Sequence, residues 1–311
     1  MSKEKNFSVK LRGVRGSYPL PYKDFLEFGG NTACVEVNAG GHLIIIDAGT
    51  GLINLGDELI REHIASGPSL YERKPVEATL LLSHIHQDHI QGFTFFKPAN
   101  IATTNLNVFG AASYNETLAD ELSDLLFTKT FPLDLGDIAA KMEIFDLEET
   151  DCIIINDEDT TVKRVETKED LVAKDGEVVI TCYKSYAHPQ DGVMIYKISY
   201  DGKSLVYASD KESYVGGDKK LAMFAKDCDL LIHDAQYTTE DYMSSYAPKQ
   251  GFGHSTFDMA LEAKQQANAK KLIFFHFDPS YKDDKLSEIR NHYQTECSDA
   301  YVAYEGLEIE L

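Results

Sequence analysis

Ser83-His84-Ile85-His86-Gln87-Asp88-His89 decides how the rest of this chain is read. The stretch directly follows Ala78-Thr79-Leu80-Leu81-Leu82, an apolar run with the length and composition of a buried strand. Three imidazoles and a carboxylate fall within the six residues from His84 to His89, more ligands than an ordinary packed corner uses. In extended chain His84 and His86 point the same way, because side chains alternate with a period of two. Where the chain turns into a helix, His89 lies one turn from His86. Such a corner offers two ring nitrogens to one metal ion while Asp88 and His89 face a second. A histidine-rich surface loop is the plain alternative, and it explains one histidine better than it explains this spacing.

The motif resembles the signature of the metallo-β-lactamase-fold hydrolases. His188 in Ala187-His188-Pro189, Asp210 in Tyr207-Ala208-Ser209-Asp210 and His276 in Phe275-His276-Phe277-Asp278-Pro279 stand where that family has its remaining ligands. Leu231-Ile232-His233-Asp234-Ala235, followed by Gly253-His254-Ser255-Thr256, is similar to the paired motifs of the ribonuclease Z and phosphodiesterase branch. Gly13-Val14-Arg15-Gly16-Ser17-Tyr18-Pro19, Gly29-Gly30-Asn31-Thr32 and Asp47-Ala48-Gly49-Thr50-Gly51 resemble a further series of the family. The likeness runs from Val9 to Leu311. It implies an α/β fold, the αββα four-layer sandwich, as a single domain over residues 1–311. Residues 156–176, rich in Asp, Glu, Lys and Thr, are expected as a surface insertion.

The resemblance also implies two divalent metal ions. His84, His86 and His188 would hold one, Asp88, His89 and His276 the other, with Asp210 bridging. Zinc is the first expectation for a nitrogen-rich set, and manganese or iron also suits histidine with carboxylate. Two divalent ions, two carboxylates and one hydroxide leave about one positive charge, which suits a singly charged phosphodiester. The family's β-lactam hydrolases carry a cysteine where Asp210 stands, so antibiotic hydrolysis is not expected. Protonation of the leaving group needs a further acid. His254 is the candidate, with Asp234 orienting it, and these two join Asp88 as the expected catalytic residues. Asp47 has two readings, support for the metal ligands and a cap on a helix over 52–65. His42, His63 and His292 have no motif around them, and His233 has a weaker case than its neighbour Asp234.

The expected activity is hydrolysis of small phosphodiesters, such as cyclic nucleotides, by a hydroxide held between the metals. Ribonuclease Z-like processing of transfer RNA 3′ ends is the alternative, and thioester or lactone hydrolysis on the same scaffold another. A metal-holding sensor would keep the ligands without turnover, and a flavin-linked oxidoreductase would need an added domain. Net charge is −21, and no Lys/Arg cluster exceeds Lys219-Lys220 and Lys270-Lys271. Nucleic acid is therefore not an expected partner, since its binding rests on neutralised phosphates. A small diester feels mainly the local metal charge, because distant carboxylates are screened over about 8 Å.

Five scattered cysteines, never in C-x-x-C spacing, fit reduced thiols and a cytoplasmic location. A charged start and the lack of a long apolar run argue against a signal peptide or a membrane span. A homodimer is compatible with the sequence. Alternation and, at 43–46, a continuous apolar run predict strands at 7–12, 43–46, 107–109, 193–200 and 203–208, the last two joined by an Asp201-Gly202 hairpin turn. Helices are expected at 116–126 and 257–267, and a strand over 271–275 delivers His276. Among Phe93, Phe95 and Phe96, at least two are expected in packing, with the third free to wall a cleft.

Overall fold

Strand alternation sorts side chains into separate cores. In the computed structural model, residues 6–113, 115–127, 131–157, 159–164, 171, 174–214 and 216–311 are described. The first half of the chain supplies β1 (Phe7–Gly13), β2 (Cys34–Ala39), β3 (His42–Ile46), β4 (Glu77–Leu81), β5 (Asn105–Gly110) and β6 (Lys141–Asp146). Between them lie α1 (Gly51–Ala65), α2 (Gln87–Ile90) and α3 (Leu118–Leu122). The second half supplies β7 (Asp151–Ile155), β8 (Thr160–Arg164), β9 (Val178–Ser185), β10 (Val193–Tyr200) and β11 (Lys203–Ala208). It continues with α4 (Lys219–Phe224), β12 (Leu230–Asp234), α5 (Thr239–Tyr242), α6 (Phe257–Ala267), β13 (Lys271–Phe275), α7 (Asp283–Glu296) and β14 (Ala300–Val302). A last strand, β15 (Glu308–Glu310), returns to pair antiparallel with β1.

Two mixed sheets result, ordered β15-β1-β2-β3-β4-β5-β6 and β14-β13-β12-β11-β10-β9-β7-β8. Ile44 and Ile46 enter one core and Ile45 between them enters the other, so β3 is a partition between layers. The larger core sets Val9, Val37 and Ile44 of the first sheet together with Ile180, Ile198 and Tyr207 of the second. It extends to Phe257 and Ala260 of α6 and Leu286 of α7. The other core packs Ile45, Leu80 and Val108 against Leu52 and Leu55 of α1 and against Phe93 and Phe96. Helix, sheet, sheet and helix stack in that order, which is the expected αββα sandwich.

Local chemistry accounts for the details. Asp201 and Gly202 both adopt positive φ, 47° and 76°, the tight turn that matches the strand twist of β10 and β11. The helix expected over 116–126 is shorter. Thr117 and Asp120 form a capping box that starts α3 at Leu118, and the following turn, Ser123–Phe127, widens into a π-helix that buries Leu126 and Phe127. The stretch 156–176 starts as a hairpin, with β8 antiparallel to β7. Its residues 158, 165–170 and 172–173 lie outside the described residues. Phe93 and Phe96 are buried and Phe95 is 56% exposed, so two of the three pack and one faces a cavity of about 520 Å³. None of the five cysteines forms a disulfide, and among the described residues no helix is long and apolar enough to cross a membrane.

Strand direction decides where the functional groups collect. β3 and β4 run parallel, as do β11, β12 and β13. Parallel strands gather the residues after their C-terminal ends on one edge. Asp47, His84, Asp210, Asp234 and His276 all occupy such ends.

Candidate metal centre

Three non-glycine residues of the candidate site, each just past a strand end, adopt left-handed backbone: Asp47 with φ 62°, Asp210 with φ 51° and His276 with φ 68°. Such conformations cost about 1–3 kcal/mol each and persist where the surroundings hold them. His86, extended with ψ 149°, is the N-cap of α2. The His89 amide donates to the His86 carbonyl at 2.9 Å, which fixes the corner and sends Asp88 and His89 inward.

Ligand atoms of His84, His86 and His188 lie within 4.8 Å of one another, as do those of Asp88, His89, Asp210 and His276. Asp210 spans the two groups. Its Oδ1 is 3.1 Å from His89 Nε2 and 3.2 Å from His276 Nε2. Its Oδ2 faces the other group, 3.6 Å from His84 Nε2 and 3.9 Å from His188 Nε2. One carboxylate thus presents one oxygen to each cluster.

Hydrogen bonds on the far side of the His89, His188 and His84 rings orient their other nitrogens. His89 Nδ1 donates to Asp47 Oδ2 at 2.8 Å, which turns Nε2 toward the cluster. That Nε2 faces Asp210 Oδ1 at 3.1 Å, Asp88 Oδ2 at 3.5 Å and His276 Nε2 at 3.1 Å. His188 Nδ1 donates to the Gly253 carbonyl at 3.0 Å, which turns its bare Nε2 to His86 Nδ1 at 3.1 Å. Ser83 Oγ donates to Asp47 Oδ2 at 2.9 Å and so accepts from His84 Nδ1 at 3.0 Å. His84 Nε2 is then buried with no partner. Acceptors converging on shared points need cations between them, and an orphaned imidazole nitrogen at the rim fits a divalent ion.

The electrostatics agree. Burial, with repulsion from His89 next, holds His84 well below the ordinary imidazole value, and burial lowers His86 and His188 as well. These rings stay neutral, as ligands must be. Burial opposes charge on His89 too, but Asp210, Asp88 and Asp47 overcome it and push the group well above its usual value. That pocket demands positive charge. Asp210 is held well below the carboxylate range, since His276 and His89 outweigh its desolvation.

Asp234 and His254 stand beside this centre. Asp234 Oδ2 accepts from His254 Nδ1 at 2.8 Å and from the Asp210 amide at 3.1 Å. Its Oδ1 accepts from the amides of Ser255 at 2.7 Å and Gln236 at 3.2 Å. Both oxygens are occupied, which suits an orienting group better than a metal ligand. His254 stacks on His276 with centroids 5.1 Å apart. Burial lowers its proton affinity, but Asp234 more than compensates and raises it to about 9. Thr256 caps α6 by accepting from the Met259 amide.

Of the two readings of Asp47, support for the ligands is the one its carboxylate serves. It accepts from the Ser83 amide at 2.7 Å and the Tyr207 hydroxyl at 2.7 Å, besides Ser83 Oγ and His89, while α1 starts at Thr50 without a side-chain cap. His63 hydrogen-bonds the Lys74 carbonyl and His292 is exposed, both away from the centre. Buried His233 is bound to the Asp234 carbonyl and pushed down by burial to about 4, a neutral packing residue.

Sequence reasoning missed several supports. The Ser17 amide donates to Asp88 Oδ2 at 2.7 Å, from a residue with φ 67°. Tyr207 reaches Asp47 from the second sheet, and only its phase in β11 could have flagged it. Gly16 and Gly253 lie against ligand rings. A Cβ on Gly16 would stand 2.5 Å from His276 Cε1, and one on Gly253 2.4 Å from His188 Nδ1.

Known proteins share this architecture. Residues 42–277 match the model of the beta-lactamase superfamily domain. Ribonuclease Z of Picrophilus torridus is 25% identical over 334 residues, covering 98% of this chain and 96% of that protein. Among solved structures, the metallo-beta-lactamase fold protein YhfI from Bacillus subtilis superposes with TM-score 0.64 at 16% identity, over 99% of this chain and 100% of that one. A diphosphatase from the PhnP family superposes with TM-score 0.63 at 14% identity, over 98% of each chain.

Proposed function

The chain belongs to the beta-lactamase superfamily, as a metal-dependent hydrolase of its ribonuclease Z and phosphodiesterase branch, and from that premise we propose that it hydrolyses small phosphodiesters such as cyclic nucleotides. The observation that carries this reading is Asp210, one oxygen toward each histidine cluster. His84, His86 and His188 would hold one ion, Asp88, His89 and His276 the other, and Asp210 both. Zinc is the first choice. A pair of divalent ions supplies a water activated near neutral pH and positive charge for the phosphoryl oxygens.

The chain's own groups do the rest. Asp47 and the Gly253 carbonyl fix the tautomers of His89 and His188. Asp234 accepts the hydrogen bond from His254 Nδ1, and its charge favours the imidazolium, whose Nε2 proton can go to a departing oxygen. Residues 1–311 act as one domain, a reading supported by β15 closing back on β1. Five cysteines outside any disulfide fit the cytoplasm.

A second reading, processing of transfer RNA ends, is favoured by the full-length likeness to Ribonuclease Z of Picrophilus torridus. The −21 charge argues for the small substrate. Metal-reconstituted protein offered cyclic nucleotides, a nitrophenyl diester and a precursor transfer RNA decides between them. Turnover of the small diesters with no cleavage of the RNA is expected. Cleavage at the RNA 3′ end with inert cyclic nucleotides would overturn the first reading.

A further inference from the structure

A cavity of about 900 Å³ opens beside the centre and shares His188 and Gly253 with it. Tyr186, Tyr214 and Tyr242 supply its aromatic lining, and Met243 and Met259 line it as well. Lys184 and Lys211 stand near the Tyr186 and Tyr214 rings, at 5.9 and 5.8 Å. Lys211 itself is paired with Asp218 at 2.6 Å.

Glu212, Asp258 and Glu262 also line the cavity, and no lysine or arginine does among the described residues. Their hydrogen-bond partners are neutral. Glu212 accepts from the Gly251 and Gly253 amides and from the Tyr242 hydroxyl. Asp258 accepts from the hydroxyls of Thr239 and Tyr293, and Glu262 from the Gln266 amide. Three carboxylates without a cationic partner give the concavity a field that draws in positive charge. Ser213 supplies an independent sign of a ligand. It lines the cavity, is only 6% exposed, and its Oγ has no hydrogen-bond partner.

We propose that this cavity is the subsite for an organic cation, a primary or quaternary ammonium carried on the alcohol arm of the phosphodiester. The proposal rests on the phosphodiesterase reading of the adjoining centre. It orients the substrate with its phosphoryl group at the metal ligands and its cationic arm between the tyrosines and carboxylates.

Two chromogenic diesters with the same nitrophenolate leaving group test it: nitrophenyl phosphorylcholine and its uncharged isostere bearing a 3,3-dimethylbutyl arm. For the metal-reconstituted protein, kcat/KM should favour the cationic ester by about tenfold. Glu262→Gln combined with Asp258→Asn should shrink that ratio toward unity. Calorimetric titration with choline and with 3,3-dimethylbutanol reads the cavity without turnover, and choline should bind more tightly. Equal kcat/KM for the two esters together with equal binding of the two alcohols overturns the cavity assignment. Preferential choline binding with no turnover of either ester supports the cavity and overturns the phosphodiesterase reading instead.

Discussion

His254 carries the most specific chemical claim at the scale of a residue. A positioned acid matters when the departing oxygen is strongly basic and little when it leaves as a stable nitrophenolate. His254→Ala should slow a cyclic nucleotide by about 10²–10⁴-fold and a nitrophenyl diester far less, as steady-state rates on both would show. Asp234→Asn should act in the same selective direction but less severely, with metal content at the wild-type level in both variants. A common factor on both substrates, or lost metal, makes His254 a structural or ligand residue. Asp47 acts one step further back. It accepts from His89, Ser83 and Tyr207 at once, so Asp47→Asn turns an amide donor toward the His89 Nδ1 proton. Metal affinity measured by competitive chelation should fall about 10–100-fold. Tyr207→Phe keeps the His89 bond and should leave that affinity nearly unchanged.

Glycine and charge decide matters between elements. Gly253, with φ 88°, brings its carbonyl to His188 because no Cβ intervenes; an added one would stand 2.4 Å from His188 Nδ1 and from Pro189 Cδ. Gly253→Ala should reduce metal binding and activity together, while thermal unfolding shifts by only a few degrees, about 1–2 kcal/mol of left-handed strain. Arg12 ties β1 to β2 and α1 through Glu36 and Glu58, both at 2.6 Å. The hydrogen bond from Arg12 holds the Glu58 carboxyl below its ordinary 4.5. A carboxyl depressed by folding contributes stability above its ordinary value and loses it as pH falls through the folded one. Glu58→Gln should therefore lower the melting temperature at pH 7, and the gap from wild type should close as pH falls below the carboxyl's ordinary 4.5. The strands were legible in the sequence because alternation and the Asp201-Gly202 turn are local signals. The short α3 was not, since its widened last turn answers to packing of Leu126 and Phe127 against the sheet.

For the whole molecule, the candidate ligands His84, His86, Asp88 and His89 were legible because they crowd one local motif after a strand, and His188, Asp210 and His276 only through the family resemblance. Ser17, Tyr207 and Ser213 were not, because their partners arrive from elsewhere in the chain and leave no local pattern. Net charge makes its own prediction at this scale. With −21 overall, transfer RNA should bind weakly, and filter binding across a salt series should show a shallow slope; tight binding that weakens steeply with salt would report many phosphate contacts. The central claim is the shared carboxylate of Asp210 between two cation sites, and metal stoichiometry tests it most directly. Elemental analysis of protein purified without chelator should approach about two divalent ions per chain, and Asp210→Ala should lose occupancy at both sites. A wild-type chain that saturates at a single ion with full activity, or an Asp210→Ala variant that keeps both, would contradict the account.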